Sequence, residues 1–359
     1  MFTRTGEQRH SYRATIALAI MSVSVAGLAA CSSDDSSGGD NHVVLQEYTG
    51  GSEYLNYLTK ELGNFKKAGI DAEIKDVSNG PQAVNAILAG SVDVAALNPT
   101  LTGPVLVKGK KLEVISGYKA AYPALTGTAD MAGKEWPDSL LQLKGKTVGV
   151  IALGGADQAM CQIALRAAGV KDKDINWVAT GSGQGTAAAM SSGKVAGSCA
   201  SDSPTASLVA SGLPELFSFV NPVQPQDIYP SELQDYMGTF SYLQAWVDSS
   251  WAEKNPKAVT GVQKAFALTI DWMNEPGNFD KLVSILKKSP YYIKTLSDEQ
   301  FTGYVKRSIP MYNIQFTDKD AKTWTAMEKE FRDTTMPKSS AWVSSAVVKS
   351  TDDVQKLLK

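Results

Sequence analysis

The sequence predicts an α/β protein made of two similar halves, each a parallel sheet with crossover helices, followed by a helical tail. Three observations carry the prediction. Short apolar strands alternate with helical patterns from Val43 onward, the signature of strand–helix–strand units. One order of elements (strand, glycine loop, helix, strand, loop, helix, small-residue strand, X-Pro loop) occurs twice, although no residue-level repeat accompanies it. From Asn255 the pattern turns almost wholly helical.

In the first half, residues 42–46 read as a strand and Tyr48-Thr49-Gly50-Gly51-Ser52 as the loop after it. Ser52 caps a helix whose apolar face is Leu55, Leu58, Leu62 and Phe65, ending at Gly69. Ala72 to Val77 is the second strand. Ser78-Asn79-Gly80-Pro81 opens a helix with proline in its first turn, which buries Ala83, Val84, Ile87 and Leu88 and stops at Gly90. Val92 to Leu97 is the third strand, followed by the loop Asn98-Pro99-Thr100.

In the second half, Lys146 to Ile151 is a strand, Leu153-Gly154-Gly155-Ala156-Asp157 a glycine loop, and Gln158 to Ala168 a helix closed by Gly169. Ile175 to Ala179 is the next strand. Gly181-Ser182-Gly183-Gln184-Gly185 leads into a helix from Thr186 to Ser192, and Val195 to Ala200 ends at Ser201-Asp202-Ser203-Pro204. The tail opens at Pro256 with Val259, Val262, Phe266 and Ile270 on one face, and further helices follow near 278–288, 297–306, 319–332 and 340–358. A tail of that size needs a surface to cover.

Ahead of these units, Arg4, Arg9 and Arg13 precede an apolar run from Ala14 to Ala26, which Leu28-Ala29-Ala30-Cys31 closes. The run is shorter than the ~20 residues a bilayer span needs, and its basic-apolar-small order is that of a secretion signal. The pair of alanines directly before cysteine resembles the bacterial lipobox, which implies lipidation of Cys31. An ordinary signal peptide with a free Cys31 is the alternative. Residues 32–41 (SSDDSSGGDN) have nothing apolar to bury and read as a flexible tether.

Charge excludes one class of partner. The chain holds 35 basic and 37 acidic residues, and the first thirty take three arginines and one glutamate with them, so the remainder carries a formal charge of −4. No basic run or aromatic-basic stripe is present, so nucleic acid is not an expected partner. Beyond Cys31 only Cys161 and Cys199 remain. An exported location permits a disulfide between them, and two buried free thiols are the equal alternative on sequence alone.

Histidine excludes most catalysis. The chain has two, His10 inside the signal and His42 where the tether meets the first strand. A Ser-His-Asp or Cys-His site is left with one base at a chain end, and no G-x-S-x-G elbow accompanies it. The glycine loops at 153–157 and 181–185 each join a strand to a helix, where backbone N–H groups can hold an anion or a polar oxygen, or where glycines merely make a tight turn. Neither is a dinucleotide fingerprint, and no phosphate-binding G-x-x-x-x-G-K motif occurs, so no cofactor is expected.

In open parallel sheets, ligands bind beyond the carboxyl ends of the strands. That rule selects Tyr48, Thr49, Gly50, Gly51, Ser52, Glu53, Asn79, Asn98, Thr100, Tyr122, Gly154, Gly155, Asp157, Ser182, Gln184 and Asp202 as ligand-binding candidates, with Trp246 as an aromatic wall. If the halves face each other, these residues border one cleft.

Several segments resemble one family. Leu143 to Val150 followed by Ala164 to Val170 resembles the second-lobe opening of the nitrate/sulfonate/taurine-type substrate-binding proteins of ABC importers. Ala86 to Ala95 (AILAGSVDVA), Phe65 to Ile70 (FKKAGI) and Ala188 to Val195 are similar to further segments of that family, in order and at matching separations. The resemblance implies a two-lobed type 2 periplasmic-binding-protein fold, with a hinge and a C-terminal helical segment that returns to the first lobe. It places the lobe crossings near Ala124–Ala129 and Phe240–Val247. The implied organisation is a lipoprotein signal at 1–30, a tether at 31–42, lobe one at 43–124 and 241–359, and lobe two at 125–240.

The implied function is capture of a small molecule between the lobes by a monomeric, lipid-anchored protein on the outer face of the membrane, for delivery to an ABC permease. A ligand-sensing or interaction lipoprotein is the alternative, and an enzyme on the same fold is a weaker one. One departure bears on the ligand. The only arginines beyond the signal are Arg166, Arg307 and Arg332, all in predicted helices outside the loops, so a bidentate arginine clamp on an oxyanion is not expected. Glu53, Asp157 and Asp202 against Lys119 suggest a neutral or amine-bearing ligand stacked on Tyr48, Tyr54, Tyr122 or Trp246, unless Glu53 and Asp157 serve only to favour first helix turns, and an oxyanion held by backbone amides and hydroxyls is the open alternative.

Overall fold

The structure, a computed structural model, describes residues 41–359 apart from 49–52, 121–122, 182–183, 221–222, 235 and 239. Cys31 and nearly all of the signal and tether fall outside the described residues, as do Thr49, Gly50, Gly51, Ser52, Tyr122 and Ser182.

Among the described residues, ten strands form two five-stranded sheets: β1 (His42–Glu47), β2 (Asp71–Asp76), β3 (Val94–Leu97), β4 (Leu112–Ala120), β5 (Ala124–Gly127), β6 (Thr147–Val150), β7 (Asn176–Ala179), β8 (Gly197–Ala200), β9 (Glu215–Ser218) and β10 (Ser241–Asp248). Sheet one runs β2-β1-β3-β10-β4 and sheet two β7-β6-β8-β5-β9. In each, the first three strands pair parallel, the fourth runs antiparallel to both of its neighbours, and the fifth completes the edge. The two halves therefore share one topology as well as one element order. Buried on both faces, β3 (VAAL) and β8 (GSCA) read as continuous small or apolar runs instead of alternating ones.

The antiparallel fourth strands are where the chain exchanges lobes. It leaves sheet one after Ala120 and enters sheet two at Ala124, then leaves sheet two after Ser218 and re-enters sheet one at Ser241. The segments read from sequence as crossings, 124–129 and 240–247, are mostly interior strands. Ala124–Gly127 is wholly buried between β8 and β9, and Ser241–Val247 between β3 and β4. Their continuous apolar character is that of a central strand, and the passages themselves lie just upstream.

The helical tail covers sheet one. In the 19-residue helix Pro256–Asn274, Phe266 packs edge-on against Tyr118 of β4 and Phe65, and Gln263 reaches the Ile115 carbonyl at 2.7 Å. Residues 342–344 do not extend the last helix, as their sequence suggested. They run along the outer edge of β4, where Val114 N–H donates to Trp342 at 2.9 Å and Ser344 N–H to Val114 at 3.0 Å, and the helix starts only at Thr351. Pairing that edge removes an open row of backbone donors. Glycine is required beneath the strap at 313–315, because a Cβ on Gly117 would stand 2.4 Å from the Gln315 carbonyl oxygen. The helix predicted to run from the Ser52 cap to Gly69 is two pieces, Leu55–Glu61 and Asn64–Lys67, broken at Gly63, which takes a φ of 68°.

In the second lobe, the helix Ala156–Ala167 buries Ala159, Met160, Ile163 and Ala164. A disulfide joins Cys161 on this helix to Cys199 in β8, with Cα atoms 6.2 Å apart, so the helix that carries Asp157 is fastened to the strand that leads to Ser201. Among the described residues, no helix is long and apolar enough to cross a membrane.

Candidate functional site

The carboxyl ends of β1, β2, β6 and β8 deliver loops from both sheets to one cavity of about 80 Å³. Sheet one contributes Tyr48, Glu53, Ser78, Asn79, Gly80, Pro81 and Leu101, together with Tyr242 and Leu243 of β10. Sheet two contributes Ile151, Ala152, Gly155, Ala156, Asp157 and Ser201. Each position has a local cause. Strand ends release the chain at the sheet edge, and a helix begins within a few residues, so short polar and small side chains sit at helix N-termini.

Asn79 caps its own helix, accepting from the Gln82 N–H at 3.0 Å. In the second lobe the loop is closed by Gly154 N–H donating to Gln158 Oε1 at 2.7 Å, with Gly154 at a φ of 71°. Asp157 then stands in the first turn of the following helix, 9% exposed. The Tyr242 hydroxyl donates to its Oδ1 at 2.6 Å, a hydrogen bond that spans the two lobes. Burial pushes the Asp157 carboxyl up to about 7, with the charges of Glu53 and Asp202 adding to the rise and the Tyr242 hydrogen bond opposing it. Glu53 is 6% exposed, Tyr48 donates to the Ala96 carbonyl at 3.2 Å, and Ser201 is 5% exposed.

A second contact between the lobes lies beside the cavity. Lys119 of β4 is fully buried and pairs with Asp202 at 3.3 Å, its ammonium 5.1 Å from the centre of the Tyr312 ring. Deeper in lobe one, Glu47 accepts the Tyr291 hydroxyl, and burial raises its carboxyl to about 8.

Of the residues selected from sequence, the structure brings Tyr48, Glu53, Asn79, Gly155 and Asp157 to the cavity. Others it places elsewhere. Gly154 is on an open surface with Leu153 and Arg332. Thr100 is buried and donates to Glu328 at 2.8 Å, turned toward the helix Asp318–Arg332. Asp202 is taken up by Lys119, and Gln184 donates to Ser203 at 3.1 Å. Asn98 is wholly buried at the start of the helix Pro99–Val107, and neither its amide nitrogen nor its oxygen finds a partner among the described residues. Trp246 and Tyr54 are core. Trp246 stacks on Trp342 at 5.8 Å, and the Tyr54 hydroxyl meets Ser308 at 2.6 Å.

Tyr242 was the residue that sequence reading missed. It belongs to the same strand as Trp246, but four residues along a strand are ~13 Å, enough to separate the sheet edge from its middle. Ser78 belongs to a segment that the strand-end rule selects, and Ser201, next to the selected Asp202, is recoverable from the same rule. A larger groove of about 630 Å³ lies between the helices Asp202–Ala210 and Asp298–Ser308, with Glu215 and Arg307 in its lining. It is bordered mainly by helix sides, and Arg307 is exposed.

Solved structures with this architecture include the alkanesulfonate-binding protein SsuA of Xanthomonas axonopodis pv. citri bound to MOPS (TM-score 0.65, 14% identity, covering 85% of this chain and 98% of that one). The aliphatic sulphonate-binding protein SsuA of Escherichia coli superposes with a TM-score of 0.61 at 19% identity, over 82% of this chain and 86% of that one. The nitrate-binding protein NrtA of Synechocystis PCC 6803 gives 0.62 at 13% identity, over 88% and 85%. Curated relatives from Brucella abortus and Brucella suis are 32% identical over 133 residues, 36% of this chain, and the chain spans 38% of their length. The NMT1/THI5 like family model matches residues 54–276, more than half of the chain, and the protein belongs to that family.

Proposed function

We propose that the protein is an extracytoplasmic solute-binding lipoprotein that captures a small molecule between its lobes and hands it to an ABC permease. The observation that supports this best is the composition of the cavity wall: strand-end loops of both sheets line one space, and the Tyr242–Asp157 hydrogen bond crosses it. A guest bound there touches both lobes and so favours the form in which they are closed. Converting a population from about 99% open to 99% closed takes ~5.5 kcal/mol of differential binding.

In this reading residues 1–30 are the export signal, Cys31 carries the lipid and 31–42 tether the domain. Residues 43–124 with 241–359 form lobe one, and 125–240 form lobe two. The protein acts as a monomer and turns nothing over. Because one acyl chain holds a protein only marginally, the anchor carries more than one. Calorimetric titration of the mature protein with sulfonates, nitrate, amines and neutral solutes tests the reading. Binding weakened by Asp157→Ala supports it, and catalytic turnover of any bound compound contradicts it.

A further inference from the structure

The sequence alone left the sign of the ligand's charge open, and the side chains around the cavity bear on it. No lysine, arginine or histidine is among the described residues that line it, whereas two carboxylates, Glu53 and Asp157, are. Both are more than nine-tenths buried or at that limit, at 6% and 9% exposure. The nearest buried ammonium, Lys119, is held by Asp202 at 3.3 Å. The positive helix ends that would otherwise attract an anion are already compensated. Asn79 caps the helix Gly80–Leu88, and Asp157 occupies the first turn of Ala156–Ala167. A nitrate or sulfonate placed here would meet two negative side chains and no basic one, a costly arrangement in a space with little water.

An independent feature points to an occupant. Ser201, 5% exposed on the cavity wall, has a hydroxyl with no hydrogen-bond partner among the described residues. Asp157 receives Tyr242 on Oδ1 only. A hydroxyl and a carboxylate oxygen on the wall are acceptors for a donor that comes from outside the chain. The Tyr48 ring adds an aromatic face, which suits a cation.

We propose that the ligand is a small organic cation, a protonated amine or an amine-bearing heterocycle. Its N–H groups donate to the Asp157 and Glu53 carboxylates and to Ser201, with Tyr48 against its face. This rests on the solute-binding reading above. It gives the cleft a charge preference opposite to that of the sulfonate- and nitrate-binding neighbours.

The test is isothermal titration of the mature protein at pH 8 with charge-matched probes: ethylamine, putrescine and 4-aminopyridine in one arm, ethanesulfonate and nitrate in the other. At least one amine should bind, and Asp157→Asn and Glu53→Gln should each weaken it tenfold or more while circular dichroism shows an unchanged fold. Ser201→Ala should weaken it about threefold. Binding of a sulfonate or nitrate with no amine bound overturns the charge assignment and leaves a solute-binding protein standing. Amine affinity unaltered in both carboxylate variants also overturns it, because the cation is then elsewhere. Failure of amines, anions and a panel of neutral solutes alike removes the solute-binding reading together with it.

Discussion

Burial lifts the Asp157 carboxyl to about 7, against the Tyr242 hydroxyl on one of its oxygens and with the charges of Glu53 and Asp202 adding to the rise. The groups that face it are Tyr242 from β10, Glu53 from the loop before the first helix, Tyr48 after β1, and Asp202, itself paired with Lys119. Its folded pKa lies above the ordinary value, so the linkage sign is fixed. The cost is absent at low pH, grows as the unfolded chain ionises above about pH 4, and is fully present above pH 7. Asp157→Asn, which keeps an acceptor for Tyr242, should therefore raise stability at pH 8 by on the order of 1–3 kcal/mol and have no effect near pH 3.5, as thermal melts at the two pH values would show. A cationic ligand needs the ionised form, so its affinity should climb between pH 6 and 8 and level off above.

Trp246 gives the opposite kind of prediction. Stacked on Trp342 in the lobe-one core, it should cost about 3–5 kcal/mol when changed to alanine. The milder Trp246→Phe, measured by chemical denaturation and titration, should lose stability while leaving ligand affinity in place.

Among the elements, the helix Ala156–Ala167 matters most to the site, because it carries Asp157 and is tied to β8 through Cys161–Cys199. Replacing both cysteines by serine should cost about 2–4 kcal/mol of stability by denaturant titration. It should also reduce affinity, since the carboxylate loses its fixed relation to Ser201.

Most of these elements were legible in advance. The glycine loops, the apolar helix faces and the strand runs of both halves are local patterns, and the structure reproduces their order. The helices Pro99–Val107 and Asp202–Ala210 were not legible. Each opens on Asn-Pro or Ser-Asp-Ser-Pro, which reads as a turn, and their apolar residues do not segregate to one face. The exchange strands β5 and β10 are placed in advance only as crossings, on the family resemblance, because which sheet accepts a strand depends on partner strands far away in sequence.

At the scale of the whole molecule, five of the selected residues meet at one cavity, and the choices that failed did so for tertiary reasons. Thr100 and Trp246 lie in segments of the right type, but one faces a tail helix and the other the middle of a sheet. The four family-like segments pointed to the family that the comparisons show. The N-terminal expectation has its own check. Cys31→Ser should release the protein from membranes into the soluble extracytoplasmic fraction, and metabolic labelling with a fatty acid should be lost with it.

The central claim is that the facing ends of two sheets close on a small guest. Small-angle X-ray scattering of the mature protein, with and without a saturating ligand found by titration, tests it most directly. The radius of gyration should fall on binding in the wild type and stay constant in Asp157→Ala. An unchanged radius in a wild-type sample that calorimetry shows to be saturated would contradict it.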